Sequence, residues 1–158
     1  MFLEPTRLYR AAREDVTDDG VGLPLDRCFT LRPGHDLTIV AWGAMIKEAL
    51  EAADQLATEK IDAEVIDVAT LKPLDSATIL ASVERTGRLV IVHEAPMTCG
   101  YGSEIAARVC EGALTSLLAP IERVTGYDTM MPYLRTEAGY MPKVARILGA
   151  AHRAMAYA

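Results

Sequence analysis

Hydrophobic and polar positions along this chain follow two rhythms that take turns. Leu37 to Trp42 (LTIVAW) is apolar nearly throughout, the pattern of a strand covered on both faces. Gly43 then gives way to a 3.6-residue rhythm from Ala44 to about Glu59. Met45, Ala49, Ala52, Ala53 and Leu56 line one side, and Lys47, Glu51, Asp54, Gln55 and Thr58 the other. Ala63 to Val68 reads as the next strand. After Pro73 a second amphipathic helix is predicted, with Asp75 as N-cap, Ile79, Leu80 and Val83 as its buried stripe and Gly87 as its stop. Arg88 to His93 (RLVIVH) is a further strand. The helix from Gly102 carries Ile105, Val109, Ala113 and Leu117 in register. Ile121 to Val124 is a short last strand, and Pro142 suits the first turn of a final helix with the stripe Val144, Leu148, Ala151 and Met155.

The first 35 residues are less regular. Pro5 to Glu14 reads as a short helix with Leu8 on its apolar side. Asp15 to Pro24 (DVTDDGVGLP) is acidic and carries two glycines and a proline, the mark of a linker or long surface loop. Asp26 to Arg32 is a short strand closed by Pro33-Gly34. Strand and helix in alternation predict an α/β fold of three α/β/α layers, its five-stranded sheet mostly parallel, with Asp26 to Arg32 as one antiparallel edge strand and right-handed crossovers. Residues 1–25 then read as a junction and 26–158 as the folded domain.

Composition narrows the class. The chain has 158 residues, 51% hydrophobic and 24% charged, an ordinary globular mixture with enough length for one sizeable core. No apolar run approaches the roughly 18 residues of a membrane span, and MFLEPTRLYR lacks the basic-then-apolar order of a secretory signal. A net charge of −6 repels phosphate backbones, which argues against nucleic acid and suits a basic protein partner. Cys28, Cys99 and Cys110 form no C-x-x-C pair. An odd number of cysteines without a signal suits reduced thiols in a cytosolic-type compartment.

Candidate chemistry concentrates where strands end. Gly43 follows Trp42, and Gly100 and Gly102 follow the strand end at His93-Glu94, the edge at which open parallel sheets bind ligands. A dinucleotide fingerprint would need a third glycine where Ile105 stands, so glycines permitting a tight turn are the plainer reading. His93 beside Glu94 suggests acid-base work, but neighbours on a strand face opposite ways. A structural role, each side chain anchoring the following turn through backbone hydrogen bonds, is the expectation. Cys99 as a nucleophile with His93 as its base competes with an incidental small residue. Arg7, Arg10 and Arg13 form a basic side, a partner face or more simply a solvated one. No His/Cys/Asp/Glu spacing matches a zinc site, and there is no G-x-S-x-G and no G-x-x-x-x-G-K-[ST]. The chain has no asparagine, so a Gly-Asp-Gly segment ending in Asn-Asn, which holds the Mg²⁺ of thiamine diphosphate in many enzymes, is absent.

The segment Val92 to Val109 (VHEAPMTCGYGSEIAARV) resembles the last domain of the beta subunit of thiamine-diphosphate-dependent 2-oxo acid dehydrogenases of the pyruvate and branched-chain type. FLEPTRLYR, LTIVAWGAMIKEALEAA, AEVIDVATLKPLD and IERVTGYD resemble further segments of that subunit in the same order. The resemblance implies that residues 1–25 join a missing pyrimidine-binding domain. It also implies an oligomer assembly and core-docking role in an oxidoreductase that decarboxylates pyruvate or a branched-chain 2-oxo acid and acylates lipoyl groups. The implied partners are a second beta subunit, the alpha subunit and the subunit-binding domain of the lipoyl acyltransferase, with no nucleic acid and no membrane. Thiamine diphosphate and Mg²⁺ would belong to the parent assembly, with none bound by this chain, no catalytic residue carried over, and the chain inactive alone. The implied compartment is the bacterial cytoplasm or the mitochondrial matrix. The stretch Thr129 to Tyr140 departs from the family pattern, and its apolar residues Met130, Met131, Tyr133, Leu134 and Tyr140 are candidates for self-association. A stand-alone binding module, or a fragment of a transketolase or deoxyxylulose-phosphate synthase, remains as the alternative.

Overall fold

A computed structural model describes residues 1–11, 13, 15–133 and 135–157. Its centre is one five-stranded sheet. The strands are β1 (Phe29–Arg32), β2 (Leu37–Ala41), β3 (Ala63–Asp67), β4 (Leu89–Pro96) and β5 (Glu122–Gly126), in the order β1-β3-β2-β4-β5. β1 runs antiparallel to β3 at one edge and every other pairing is parallel. Among the described residues five α-helices accompany them: α1 (Met45–Thr58), α2 (Ser76–Thr86), α3 (Gly102–Ala113), the single turn α4 (Glu137–Tyr140) and α5 (Val144–Ala156).

The period of two along β2 decides the layers. Leu37, Ile39 and Ala41 face α1 and α5, together with Val65, Val90 and Val92. Val40 faces the opposite way with Ile66, Leu89 and Ile91, against α2 and α3. All five residues of β2 are buried, as expected for a central strand sandwiched between helices. α1 buries the five residues its periodicity marked, Met45, Ala49, Ala52, Ala53 and Leu56. Small alanines let it lie close to the sheet while Met45 and Leu56 fill the gaps at its ends. α2 has its Asp75 cap, which accepts from the Thr78 amide at 3.1 Å, and its Gly87 stop at φ +70°. Its C-terminal end closes when the Gly87 amide donates to the Val83 carbonyl at 2.8 Å.

Several expectations shift. Pro5 to Glu14 holds one 3₁₀ turn, Thr6–Leu8, rather than a helix; Ala12 and Glu14 lie outside the described residues. A turn there buries nothing, and without tertiary packing so short a helix has little to sustain it. α3 ends at Ala113, so Leu117 packs from the loop beyond a 3₁₀ turn, Leu114–Ser116. In α5 the fully buried residues are Ile147, Ala150, Ala151 and Ala154, with Val144, Leu148 and Met155 at the flanks. The apolar side of α5 is wide enough that packing on α1 and β5, not periodicity, chose its centre. Pro142 lies two residues before that helix. Among the described residues no helix is long and apolar enough to cross a membrane.

Candidate functional site at the switch point of the sheet

From β2 the chain leaves through α1 toward β3, and from β4 it leaves through α3 toward β5, on the other side. The carboxyl ends of β2 and β4 are therefore the topological switch point, where loops part and open sheets form their ligand crevice. Here that crevice is filled from within. Trp42, one residue past β2, stacks on His93 of β4, with ring centroids 5.2 Å apart and planes inclined by 19°. Tyr101 meets the indole edge-on at 6.1 Å, and its hydroxyl donates to the Leu71 carbonyl.

The glycines singled out by sequence surround this stack. Gly43 turns the chain out of Trp42 at φ +57°, a left-handed backbone that suits glycine. Gly100 and Gly102 lie against the imidazole. A β-carbon on Gly100 would come 2.5 Å from His93 Cε1, and one on Gly102 would come 2.6 Å from Nε2. These two glycines let the head of α3 sit directly over the ring. Between them and β4, Cys99 has φ +58°, an uncommon conformation for a side-chain-bearing residue. Thr98 fastens that turn to the loop after β5, its amide and hydroxyl donating to Asp128 at 3.0 and 2.6 Å. Those bonds hold the exposed Asp128 carboxyl below its usual range. Arg123 closes the side, donating to Ser103 Oγ at 2.7 Å.

His93 is 1% exposed, and neither ring nitrogen has a hydrogen-bond partner. Of the backbone anchor expected of it there is a contact with the Ala95 backbone, too loose for a regular hydrogen bond. Burial, and to a lesser degree the nearby Arg123 charge, push the imidazole below its ordinary value against the opposing pull of the Ala95 backbone. Glu94 faces outward, as strand alternation requires, and accepts from Arg7 Nη1 at 3.3 Å instead of anchoring the turn. Arg7 also pairs with Glu48 on α1, so the amino-terminal arm reaches over the crevice and Arg7, of the basic side, is not simply solvated. Cys99 is exposed while the nitrogens of His93 are buried and unpaired, so the two do not form a nucleophile-base pair. Cys28 is no better a nucleophile. Burial, then the carboxylates of Asp75 and Asp67, push its thiol up to about 12.

The sequence reading missed a second polar cluster altogether. Glu64, in a run read simply as a strand, is 4% exposed beneath α2. It accepts from Ser82 at 2.5 Å and from Arg85 at 2.6 Å on both oxygens. Thr38 Oγ1 lies 2.6 Å from Ser82 Oγ and 2.7 Å from Thr86 Oγ1. The only signal was the spacing of Ser82, Arg85 and Thr86 on one face of α2. This cluster sits at the amino edge of the strands, away from the crevice.

The fold agrees with what comparison finds. Residues 27–147 match the family described as the transketolase C-terminal domain. The chain belongs to that family. Pyruvate dehydrogenase E1 component subunit beta of Bacillus subtilis is 38% identical over 157 residues, which cover 99% of this chain and 48% of that protein. The mitochondrial 2-oxoisovalerate dehydrogenase subunit beta 2 of Arabidopsis thaliana is 43% identical, covering 99% of this chain and 44% of that protein. A solved chain titled as a split gene transketolase, inactive beta4 tetramer, superposes with a TM-score of 0.76 at 29% identity, over 91% of this chain and 46% of that one. The transketolase C-terminal domain described here thus spans about half the length of the relatives it matches.

Proposed function

We propose that this domain is the carboxyl-terminal assembly and core-docking unit of a 2-oxo acid dehydrogenase beta subunit. The parent would be an oxidoreductase that oxidatively decarboxylates pyruvate or a branched-chain 2-oxo acid and acylates lipoyl groups. The observation that carries this reading is that beta subunits of both kinds align over nearly the whole chain, at 38–43% identity. Residues 1–25 serve as the junction to a pyrimidine-binding domain. Their exposed Phe2, Leu3, Val16, Val21, Leu23 and Leu25, with Met130 and Tyr133 in the loop after β5, are the kind of apolar surface that a partner covers. A charge of −6 complements a basic docking domain on the acyltransferase.

Thiamine diphosphate and Mg²⁺ do not fit this chain's own donors. It has no asparagine, and among the described residues no three His, Cys, Asp or Glu side chains gather as a metal site. The coenzyme would be held by the alpha subunit and the pyrimidine-binding half, and no step is assigned to residues here.

The test is reconstitution. The chain, the alpha subunit and the pyrimidine-binding half of beta from the same source are mixed, and lipoyl acylation is assayed with pyruvate and with 3-methyl-2-oxobutanoate. Acylation that needs all three, with the chain co-eluting in the complex, is the expected result. Full acylation without this chain, or saturable turnover of a 2-oxo acid by the chain alone with coenzyme and Mg²⁺, would overturn it. The split gene transketolase likeness favours a second reading, a transketolase half. That reading predicts turnover of sugar phosphates by the same mixture.

A further inference from the structure

The switch-point crevice is blocked by a residue that can change its charge. Neutral imidazole carries one N–H and one lone pair, and at His93 both are buried without a regular hydrogen bond among the described residues. Protonation would add a second N–H and a full charge to the same closed space. Only the Ala95 backbone favours the charged form, and the surrounding titratable and charged groups add nothing to it. Arg123 on β5 is itself cationic, Tyr101 at the head of α3 gives its hydroxyl to Leu71, and Cys99 points to solvent. Glu94 faces away on its own strand and, with Glu48 of α1, is engaged by Arg7 of the arm. Asp128 is engaged by Thr98. The indole face of Trp42 attracts a cation, but by less than burial of an unpaired charge costs. No small adjustment makes room, because at Gly100 and Gly102 there is not space for even a β-carbon beside the ring. The element in contact with it that has an uncommon backbone is the turn from Met97 to Tyr101. That turn carries the left-handed Cys99, and the β4-β5 register slips between Val92 and Pro96.

We propose that His93 is a proton-operated plug: on taking up a proton, the imidazole leaves its place beneath the Gly100–Gly102 turn and opens the crevice between β2 and β4. The direction follows from linkage. Above the ordinary imidazole value, the side chain is neutral in folded and unfolded chain alike and protonation contributes nothing. As pH falls below that value, the open chain binds a proton that the plugged form resists, so the plugged form loses stability until its own lowered value is passed.

Trp42 is the only tryptophan, so its fluorescence reads the stack directly. Emission of the intact chain is followed from pH 8 to pH 4, with histidine-ring resonances and amide exchange recorded on the same samples. The expected result is a step in Trp42 emission, a His93 midpoint below about 6.5, and loss of exchange protection at Thr98 to Ser103 in the same pH range. In His93→Gln the step disappears. If that variant does not fold, the wild-type resonances decide alone. A His93 midpoint at or above about 6.5 overturns the proposal. So does titration that leaves the 98–103 amides protected, or no titration before the whole chain unfolds. His35 and His152, exposed and paired with Asp62 and Glu59, serve as internal references.

Discussion

The two buried polar clusters lie at opposite ends of the same strands and are built in opposite ways. At the amino edge, Thr38, Glu64, Ser82, Thr86 and Arg85 satisfy one another, and a buried carboxylate is matched by a guanidinium on both oxygens. At the carboxyl edge, Trp42, His93 and Tyr101 stack without one hydrogen bond to the imidazole. A satisfied network fixes one arrangement, because each member loses a partner if any other moves. An unsatisfied group held by shape stores a cost that a change of charge or a ligand releases. The amino edge therefore reads as the rigid end of the domain and the carboxyl edge as the end able to respond.

Removing the counter-charge is the hardest blow to that contrast. Arg85→Met leaves Glu64 buried and uncompensated and should cost about 3 kcal/mol, somewhat softened because Arg85 is itself half-exposed. Urea unfolding measures it, and a cost near zero would mean that the amino edge is not a bonded network. Gly102→Ala drives a β-carbon into the His93 ring and should cost about 2 kcal/mol by the same assay. Because the strain falls on the plug, the variant should also weaken the Trp42–His93 stack, seen as altered Trp42 emission. If Gly102→Ala is silent, the ring is not tightly held. Thr38→Val keeps shape but removes the hydroxyl shared by Ser82 and Thr86, for about 1 kcal/mol. A larger loss would show that the hydroxyl chain and the Glu64–Arg85 pair act as one unit, which the double variant with Arg85→Met would quantify. Arg7→Ala breaks exposed ion pairs and should change stability by only about 0.5 kcal/mol. It should speed exchange at the crevice more than elsewhere, since the arm crosses there. Uniform exchange would place Arg7 outside the carboxyl-edge device.

Much of the fold was legible because burial and period coincide. β2 lies between helices on both faces, so its sequence had to be apolar throughout, and α1 shows its period because only one side meets the sheet. Asp75 and Gly87 marked the ends of α2 through backbone chemistry that depends on nothing distant. The first segment misled because Leu8 suggested an apolar side that has no core to meet. At the candidate site the glycines were visible as turn formers, but their reason was not. Gly100 and Gly102 are small because a histidine from β4 occupies the space above them. Glu64 was hidden for the same kind of reason, its guanidinium arriving from another element.

By itself, then, the sequence determined the five strands and the four long helices, how they alternate, and through Val92 to Val109 the family to which the chain belongs. These follow from local period, capping and side-chain type, which neighbours along the chain decide. Only the tertiary structure decided that Trp42 and His93, 51 positions apart, close the switch-point crevice, and that Glu64 is paired while His93 is not. Hydrogen-bond satisfaction and the room around a ring are properties of groups brought together by the crossovers of the sheet, and no local pattern carries them.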